Sequence, residues 1–321
     1  MAVADLDHST TGLDDWFVDA VNGLARGAAT DLDGHLVTVG SERVVGATKT
    51  SCHVRFVARD GNDRPLIAPL ARMLVNHIVD FCIPRSRIKE ARQRLDDTGS
   101  TDQLVALQRE ARELFTSLSN SGEGGELLLA VLLERLLEAP QLLCKMSLKT
   151  SSEMHVHGTD GIHAKALGDG RLALYWGESK LHDSVHSAIT SAFESIGPFL
   201  TDDGTGPAQR DLLLVRGLLD TGDADLDELL RDYFTEGTVN ATMREVRGAS
   251  LVGFSLDDYP HPHDPNGAVA SMVADAIARW VQLIDNRITG AALDSFDITV
   301  FCVPLPSVAD FREAVKLALG V

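Results

Sequence analysis

Apolar positions along this chain recur at two different periods, and the places where the period changes mark the predicted elements. Alternation over 36–45 and 51–58 predicts two strands, and the polar stretch from Asp60 to Pro65 reads as a loop. Helical spacing then takes over for 66–81, restarts as a basic helix to about Leu95, and resumes from Asp102, with its own N-cap, to Leu118. From Glu126 the chain is apolar nearly all round until Ala139 and Pro140, the pattern of a helix buried on every side and stopped by proline. After Gly158 the period returns to two, on both sides of a Gly168-Asp169-Gly170 turn, which is a strong hairpin signal. Beyond it come a helix over 183–196, a break over 201–207, two acidic helices over 208–219 and 225–234, and a buried strand over 249–255. A polar loop with His261 and His263, a long helix to about Asn286, a strand over 296–303 and a helix over 306–319 complete the chain. In the lead, 14–24 carries a short amphipathic helix pattern that docks on the core or on a partner.

The hairpin fixes the candidate chemistry. Pairing Leu167 with Arg171 across a three-residue loop holds one register along both strands and sets Asp160 opposite Glu178, with Cβ atoms roughly 5 Å apart. Period two then gathers Asp160, Ile162, Ala164 and Ala166 with Leu172, Leu174, Trp176, Glu178 and Lys180 on an apolar face. The opposite face takes His163, Lys165, Arg171, Tyr175 and Ser179. Two facing carboxylates repel unless a proton or cation lies between them, which makes a partly dry pair a seat for Mg2+. Lys180 joins them; a plain salt bridge to either acid is the structural alternative. The buried helix brings Glu123 and Glu126 to one side of its first turn, and its glycines let that turn approach the strand ends. Glu126 is the favoured third acid because it leads straight into the apolar run, although acids in a first turn also serve as dipole partners.

Composition narrows the class. With 321 residues, 44% hydrophobic and 24% charged, the chain has the make-up of a globular protein with a large core. No run approaches the roughly 20 apolar residues of a membrane span, so a soluble, cytoplasmic protein with no membrane partner is expected. Cys52, Cys82, Cys144 and Cys302 lack any paired spacing and predict buried thiols rather than a zinc ribbon or disulfides. The net charge of −18 argues against a protein that coats nucleic acid over its whole surface. The acids are concentrated: 1–33 holds seven against one base, and 201–237 holds ten against three. From Lys145 to Lys180 there are five bases and four acids, so Lys145, Lys149, Lys165, Arg171 and Lys180 form a modest phosphate-attracting group. Arg85, Arg87, Lys89, Arg92 and Arg94 form a second basic run or a solvated helix face. His155, His157 and His163 do not have a zinc spacing; His157 and His163 are candidate phosphate contacts with Lys145 and Lys149. Nucleotide-binding, dinucleotide and serine-hydrolase signatures are lacking, so any ATP use belongs to a partner.

The order of a helix with Glu126, a strand, a strand with Asp160, a strand with Glu178-Ser179-Lys180 and a further helix resembles the core of the PD-(D/E)xK nuclease superfamily. Thr159 stands where that motif often has proline. The stretches from Pro140 to Thr150, His157 to His163 and Tyr175 to Leu181 resemble the HamA family, the nuclease subunits of bacterial Hachiman anti-phage systems. The resemblance implies an α/β fold with a central mixed sheet flanked by helices, divided into an acidic lead (1–35), a strand and helix layer (36–120) and a nuclease core with C-terminal α/β additions (121–321), the last two forming one unit. It also implies a Mg2+-dependent deoxyribonuclease, with Mn2+ as an alternative ion. Asp160, Glu178, the Ser179 carbonyl and Glu126 would hold the metal, Lys180 would steady the attacking water and phosphate, and a HamB-like helicase would be the partner on DNA. A subunit that keeps the fold only to bind DNA or a partner is the rival; its mark would be a lost catalytic acid, and Asp160, Glu178 and Lys180 are all present.

Overall fold

A helix, α1 (His8–Asn22), and a short 3-10 turn (Ala29–Leu32) lead into three strands, β1 (Leu36–Thr38), β2 (Arg43–Val44) and β3 (Ser51–Val57). Four helices follow: α2 (Ile67–Asn76), α3 (Ile78–Cys82), α4 (Arg85–Thr98) and α5 (Asp102–Thr116). Then come α6 (Glu123–Leu136), the hairpin β4 (Gly161–Gly168) and β5 (Arg171–His182), and α7 (Val185–Leu200). The chain ends with α8 (Pro207–Leu218), α9 (Ala224–Tyr233), α10 (Val239–Thr242), β6 (Arg244–Ser255), α11 (Ala268–Gly290), β7 (Asp297–Leu305) and α12 (Val308–Leu319). The structure, a computed structural model, describes residues 8–39, 42–116, 122–143, 158–260 and 268–320.

The strands form one seven-stranded mixed sheet in the order β1-β3-β7-β6-β5-β4, with β2 attached to β3. The interior pairs β3–β7, β7–β6 and β6–β5 are parallel, and the β1–β3 and β4–β5 pairs are antiparallel. The strands before α2 and the hairpin after α6 therefore belong to one sheet. Helices cover both faces, as a sheet with parallel interior strands requires. One face buries Ile162, Leu174, Trp176, Val252, Phe254 and Val300 against α7, α8, α9, α11 and α1. The other buries Ala173, Tyr175, Leu251, Phe301 and Val303 against α2, α3, α5, α6 and α12.

Three boundaries differ from the sequence pattern. The run over 36–45 breaks into β1 and β2, the run over 66–81 breaks at His77 into α2 and α3, and β6 starts at Arg244, well ahead of 249. His77 lies near φ −94° and ψ 4°, so the helical ladder is interrupted with no glycine or proline in the sequence to announce it. The polar face expected for the hairpin is also covered: His163, Tyr175 and Ser179 are all buried. Hydroxyl, phenol and imidazole groups register as polar in a period count, yet here α6 packs over them.

The lead docks on the core. Phe17 of α1 stacks on Tyr233 of α9 with ring centroids 5.2 Å apart, and the Asn22 side chain brackets Ala166, donating to its carbonyl (3.2 Å) and accepting from its N–H (3.0 Å). Asp14 accepts the Asp169 and Gly170 N–H groups at 2.8 and 2.7 Å, which caps the hairpin turn. Asp169 and Gly170 both have positive φ, 52° and 66°, the geometry of a two-residue Asp-Gly turn that matches strand twist. Further on, Arg26 pairs with Glu134 at 2.9 Å and Asp80 at 3.2 Å, while Arg135 pairs with Asp31 at 3.0 Å. These pairs fasten the lead to the end of α6 and to α3.

Candidate active site

The hairpin holds its predicted register from Gly161↔Gly177 to Ala166↔Leu172; at the turn a bulge pairs Gly168, rather than Leu167, with Arg171. Asp160 lies one residue beyond this ladder, at the Glu178 end of β5, and its contacts leave the regular register. Its N–H donates to the Gly177 carbonyl at 2.9 Å, and its Oδ2 accepts the Ser179 N–H at 2.7 Å. The Asp160 carboxylate thus takes the place of the next backbone carbonyl and holds the strand end together. In an extended residue the C=O lies on the same side as the N–H, so the Ser179 carbonyl also faces the Asp160 side of β5.

Glu178 is buried, and its Oε1 forms an ion pair with Nζ of the half-buried Lys180. Burial draws the Lys180 pKa down, but Glu178, with Asp160 and Glu126, more than offsets it and leaves the ammonium above its ordinary value. Asp160 is raised as well, which for a carboxyl disfavours the charged form. Burial, then repulsion from Glu126 and from Glu178, raises it well above the usual carboxylate range, against the Ser179 N–H and Lys180. Glu126, and not Glu123, is thus among the strongest charges acting on both Asp160 and Lys180. Among the described residues Asp160, Glu178 and Glu126 thus gather around Lys180, a grouping of acids that a bound cation would fit.

The approach of α6 to this cluster depends on Gly125. A Cβ there would collide with Ser179 Oγ and come within 3.1 Å of Leu181 Cγ. On β6, Ser250 stands beside Glu178 in the parallel register, fully buried. Among the described residues the Ser250 hydroxyl has no hydrogen-bond partner, so an unsatisfied oxygen stands beside the acid, while the Ser179 hydroxyl lies on the opposite face of β5 against Gly125. The donor set of carboxylates, a carbonyl and a hydroxyl is all oxygen, the kind Mg2+ takes. Among the described residues no three acidic, His or Cys side chains stand in a ready-made ligand cage. Glu178 is turned to Lys180, and one Asp160 oxygen is committed to Ser179.

Several sequence candidates fall elsewhere. His163 is buried, and its Nδ1 donates to the Ala139 carbonyl at 2.9 Å, which fixes the tautomer and leaves no face for a phosphate. Burial lowers its pKa to about 4. Gln141 bridges to His163 on the outer edge of β4. Lys145, Lys149, His157 and His155, and with them the strand expected before Asp160, lie outside the described residues. The basic run on α4 is largely paired: Arg87 with Glu110 at 2.6 Å, Arg94 with Asp102 at 3.3 Å, and Lys89 with the Gly222 carbonyl at 2.8 Å. A cleft of about 290 Å3 between Pro84, Arg85, Leu142 and Leu218 includes none of the acid and lysine cluster among its lining residues.

One residue was missed. Asp211 of α8, only 1% exposed, accepts the Thr159 N–H at 3.3 Å, and the Thr159 hydroxyl lies 3.4 Å from the same oxygen. The sequence signal was a charge inside an apolar stripe, since Ala208, Asp211, Leu212 and Val215 share the buried side of their helix.

With this geometry in place, the HamA family profile matches residues 36–319. The chain belongs to the HamA family. No curated protein matches it. Membership makes this HamA chain a Hachiman defence protein, and the match takes in every member of the Asp160, Glu178, Lys180 and Glu126 cluster. Among the described residues no helix is long and apolar enough to cross a membrane.

Proposed function

We propose that this HamA chain is a metal-dependent deoxyribonuclease, the effector subunit of a defence complex with a HamB-like helicase. The observation that supports this most is the shared end of the hairpin, where Asp160, Glu178 and Glu126 meet Lys180 and Asp160 is pushed well above its usual range by burial and then by its acidic neighbours. Asp160, Glu178 and the Ser179 carbonyl would hold Mg2+ or Mn2+, with Glu126 completing the set directly or through water. When bound, such an ion lowers the pKa of a coordinated water and offsets charge on the phosphate.

The chain's own residues do the rest. Lys180, kept charged by Glu178, attracts the phosphodiester and steadies the attacking water. Asp160 keeps β5 in place by accepting the Ser179 N–H at Oδ2 and would offer its other oxygen to the ion. Ile162, Leu174 and Trp176 form a dry floor on the Glu178 face, which strengthens each charge–charge contact above it. No covalent intermediate is required.

The test is cleavage of labelled DNA by the purified chain, alone and with its helicase, with Mg2+ and then with a chelator. Cleavage that stops with chelator and is lost in Glu178→Ala and Lys180→Ala supports the reading. The Glu178–Lys180 ion pair favours a second reading, a non-catalytic subunit that keeps the fold to bind DNA or a partner. DNA binding with no cleavage under any metal, with or without the helicase, would select that one.

A further inference from the structure

The residue before the central acid is held by a helix from a distant part of the chain. Thr159 is 2% exposed; its N–H donates to Asp211 Oδ2, and its hydroxyl lies within reach of that carboxylate and of the Gly161 carbonyl at 3.2 Å. We infer that Asp211 is a positioning residue for the nuclease site, fixing the Thr159–Asp160 step so that the Asp160 carboxylate meets Glu178 and the Ser179 N–H. This rests on the proposed nuclease reading.

Three observations carry it. First, a carboxylate is costly to bury, and one oxygen of the buried Asp211 accepts a backbone N–H and lies within reach of a hydroxyl next to Asp160. Second, Asp160 lies just outside β4, beyond the last ladder pair, and is tied to β5 on one side by the Gly177 carbonyl and the Ser179 N–H, while Thr159 before it stands outside the ladder. Thr159 is the residue through which an outside element can reach it, and a buried acceptor shared by N–H and side chain restricts both. Third, α8 is itself tightly seated. Asp202 accepts four N–H groups at its start, Gly204 (3.0 Å), Gly206 (2.7 Å), Ala208 (2.6 Å) and Gln209 (3.1 Å), and Pro207 opens the first turn. A carboxylate one turn further along is therefore delivered from a rigid support.

The measurement is Mn2+ binding by electron paramagnetic resonance, with DNA cleavage in parallel, on the unaltered full chain and on Asp211→Ala, Asp211→Asn and Thr159→Ala, each checked for fold by circular dichroism and melting. Outer-shell groups of this kind typically change metal affinity by about 10- to 100-fold, and Asp211→Ala should weaken Mn2+ binding on that scale, with cleavage falling in step. Asp211→Asn retains an acceptor for the Thr159 N–H and should recover most of both. Thr159→Ala removes the hydroxyl and the γ-methyl but keeps the N–H that Asp211 accepts, and should give a smaller loss in the same direction; it carries the test if Asp211→Ala does not fold. Unaltered Mn2+ affinity in a folded Asp211→Ala or in Thr159→Ala overturns the inference, as does an Asn variant no better than Ala. An unaltered chain that neither binds Mn2+ nor cuts DNA overturns the nuclease reading and this inference together.

Discussion

Asp160 does two things at once: it ties Ser179 into the sheet and it concentrates negative charge beside Glu178 and Glu126. Replacing a single ligand or charge in a preorganised site typically costs about 10² to 10³ in rate, so Asp160→Ala, Glu178→Ala and Lys180→Ala should each lose cleavage on that scale while remaining folded. Well-folded variants that cut at the parent rate would show that the site is misassigned; unfolding of all three would mark the Lys180–Glu178 pair as structural. Between the two acids of the first turn, Glu126 acts on Asp160 and Lys180 most strongly, so Glu126→Gln should reduce cleavage and Glu123→Gln should not. The reverse result would move the third acid to Glu123. His163 yields a stability test. Burial lowers its folded pKa from 6.5 to about 4, so below about 6.5 the unfolded imidazole takes up a proton that the folded one refuses. Stability that is complete above pH 6.5 is therefore lost as pH falls toward 4, by on the order of 3 kcal/mol. His163→Asn, which keeps a donor for Ala139, should flatten urea-melting stability across that window. Parallel pH curves for the two proteins would refute it.

At the scale of elements, α6 and the hairpin make the site by close approach, and Gly125 permits it. Adding a methyl group at Gly125 forces a contact with Ser179 Oγ and Leu181, and overpacking of that sort typically costs about 1–3 kcal/mol. Gly125→Ala should therefore lower the melting temperature and weaken metal binding, because displacing α6 displaces Glu126. Gly122→Ala is the control, since a Cβ there meets nothing within 4 Å. Equal melting temperatures for the two variants would count against the close approach. This contact was legible in the sequence: glycines beside first-turn acids, ahead of an apolar helix, announce a turn that nestles against something. The hairpin register was legible too, because period two and an Asp-Gly turn leave one alignment, and only the bulge at Gly168 escaped it. What was not legible depends on partners far along the chain. His163 and Ser179 look polar, and nothing local says that α6 and Ala139 cover them. Asp211 lies 52 residues from Thr159 and is the one acid of α8, in a segment whose other acids read as a solvated face. The break at His77 has no glycine or proline to mark it.

Across the whole molecule, charge is separated along the hairpin. The acidic lead and the acidic segment over 201–237 meet at its turn, through the Phe17–Tyr233 stack and the Asp14 cap, with the Tyr233 hydroxyl donating to the Gly170 carbonyl at 2.7 Å. On that side Asp15 and Asp19 of α1 and Asp225, Glu228 and Asp232 of α9 are exposed. The acid and lysine cluster lies at the other end of β5, roughly 23 Å away at about 3.3 Å per residue from Arg171 to Glu178. Acidic surface repels DNA, so this end is unsuited to substrate and suited to a basic partner surface. The proposed helicase, docked there, would restrain the nuclease without covering the site, and the contact would weaken as salt screens it. The expected outcome is co-purification of the two proteins at low salt and separation at high salt, with DNA cleavage dependent on ATP when both are present. Asp225→Lys, Glu228→Lys and Asp232→Lys, combined in one chain, should abolish co-purification while leaving Mn2+ binding at the hairpin end unchanged, because the two ends lie well beyond a Debye length of about 8 Å at physiological salt. A triple variant that still co-purifies at parent strength would place the partner on another face; loss of Mn2+ binding in that variant would mean that the two ends are not independent.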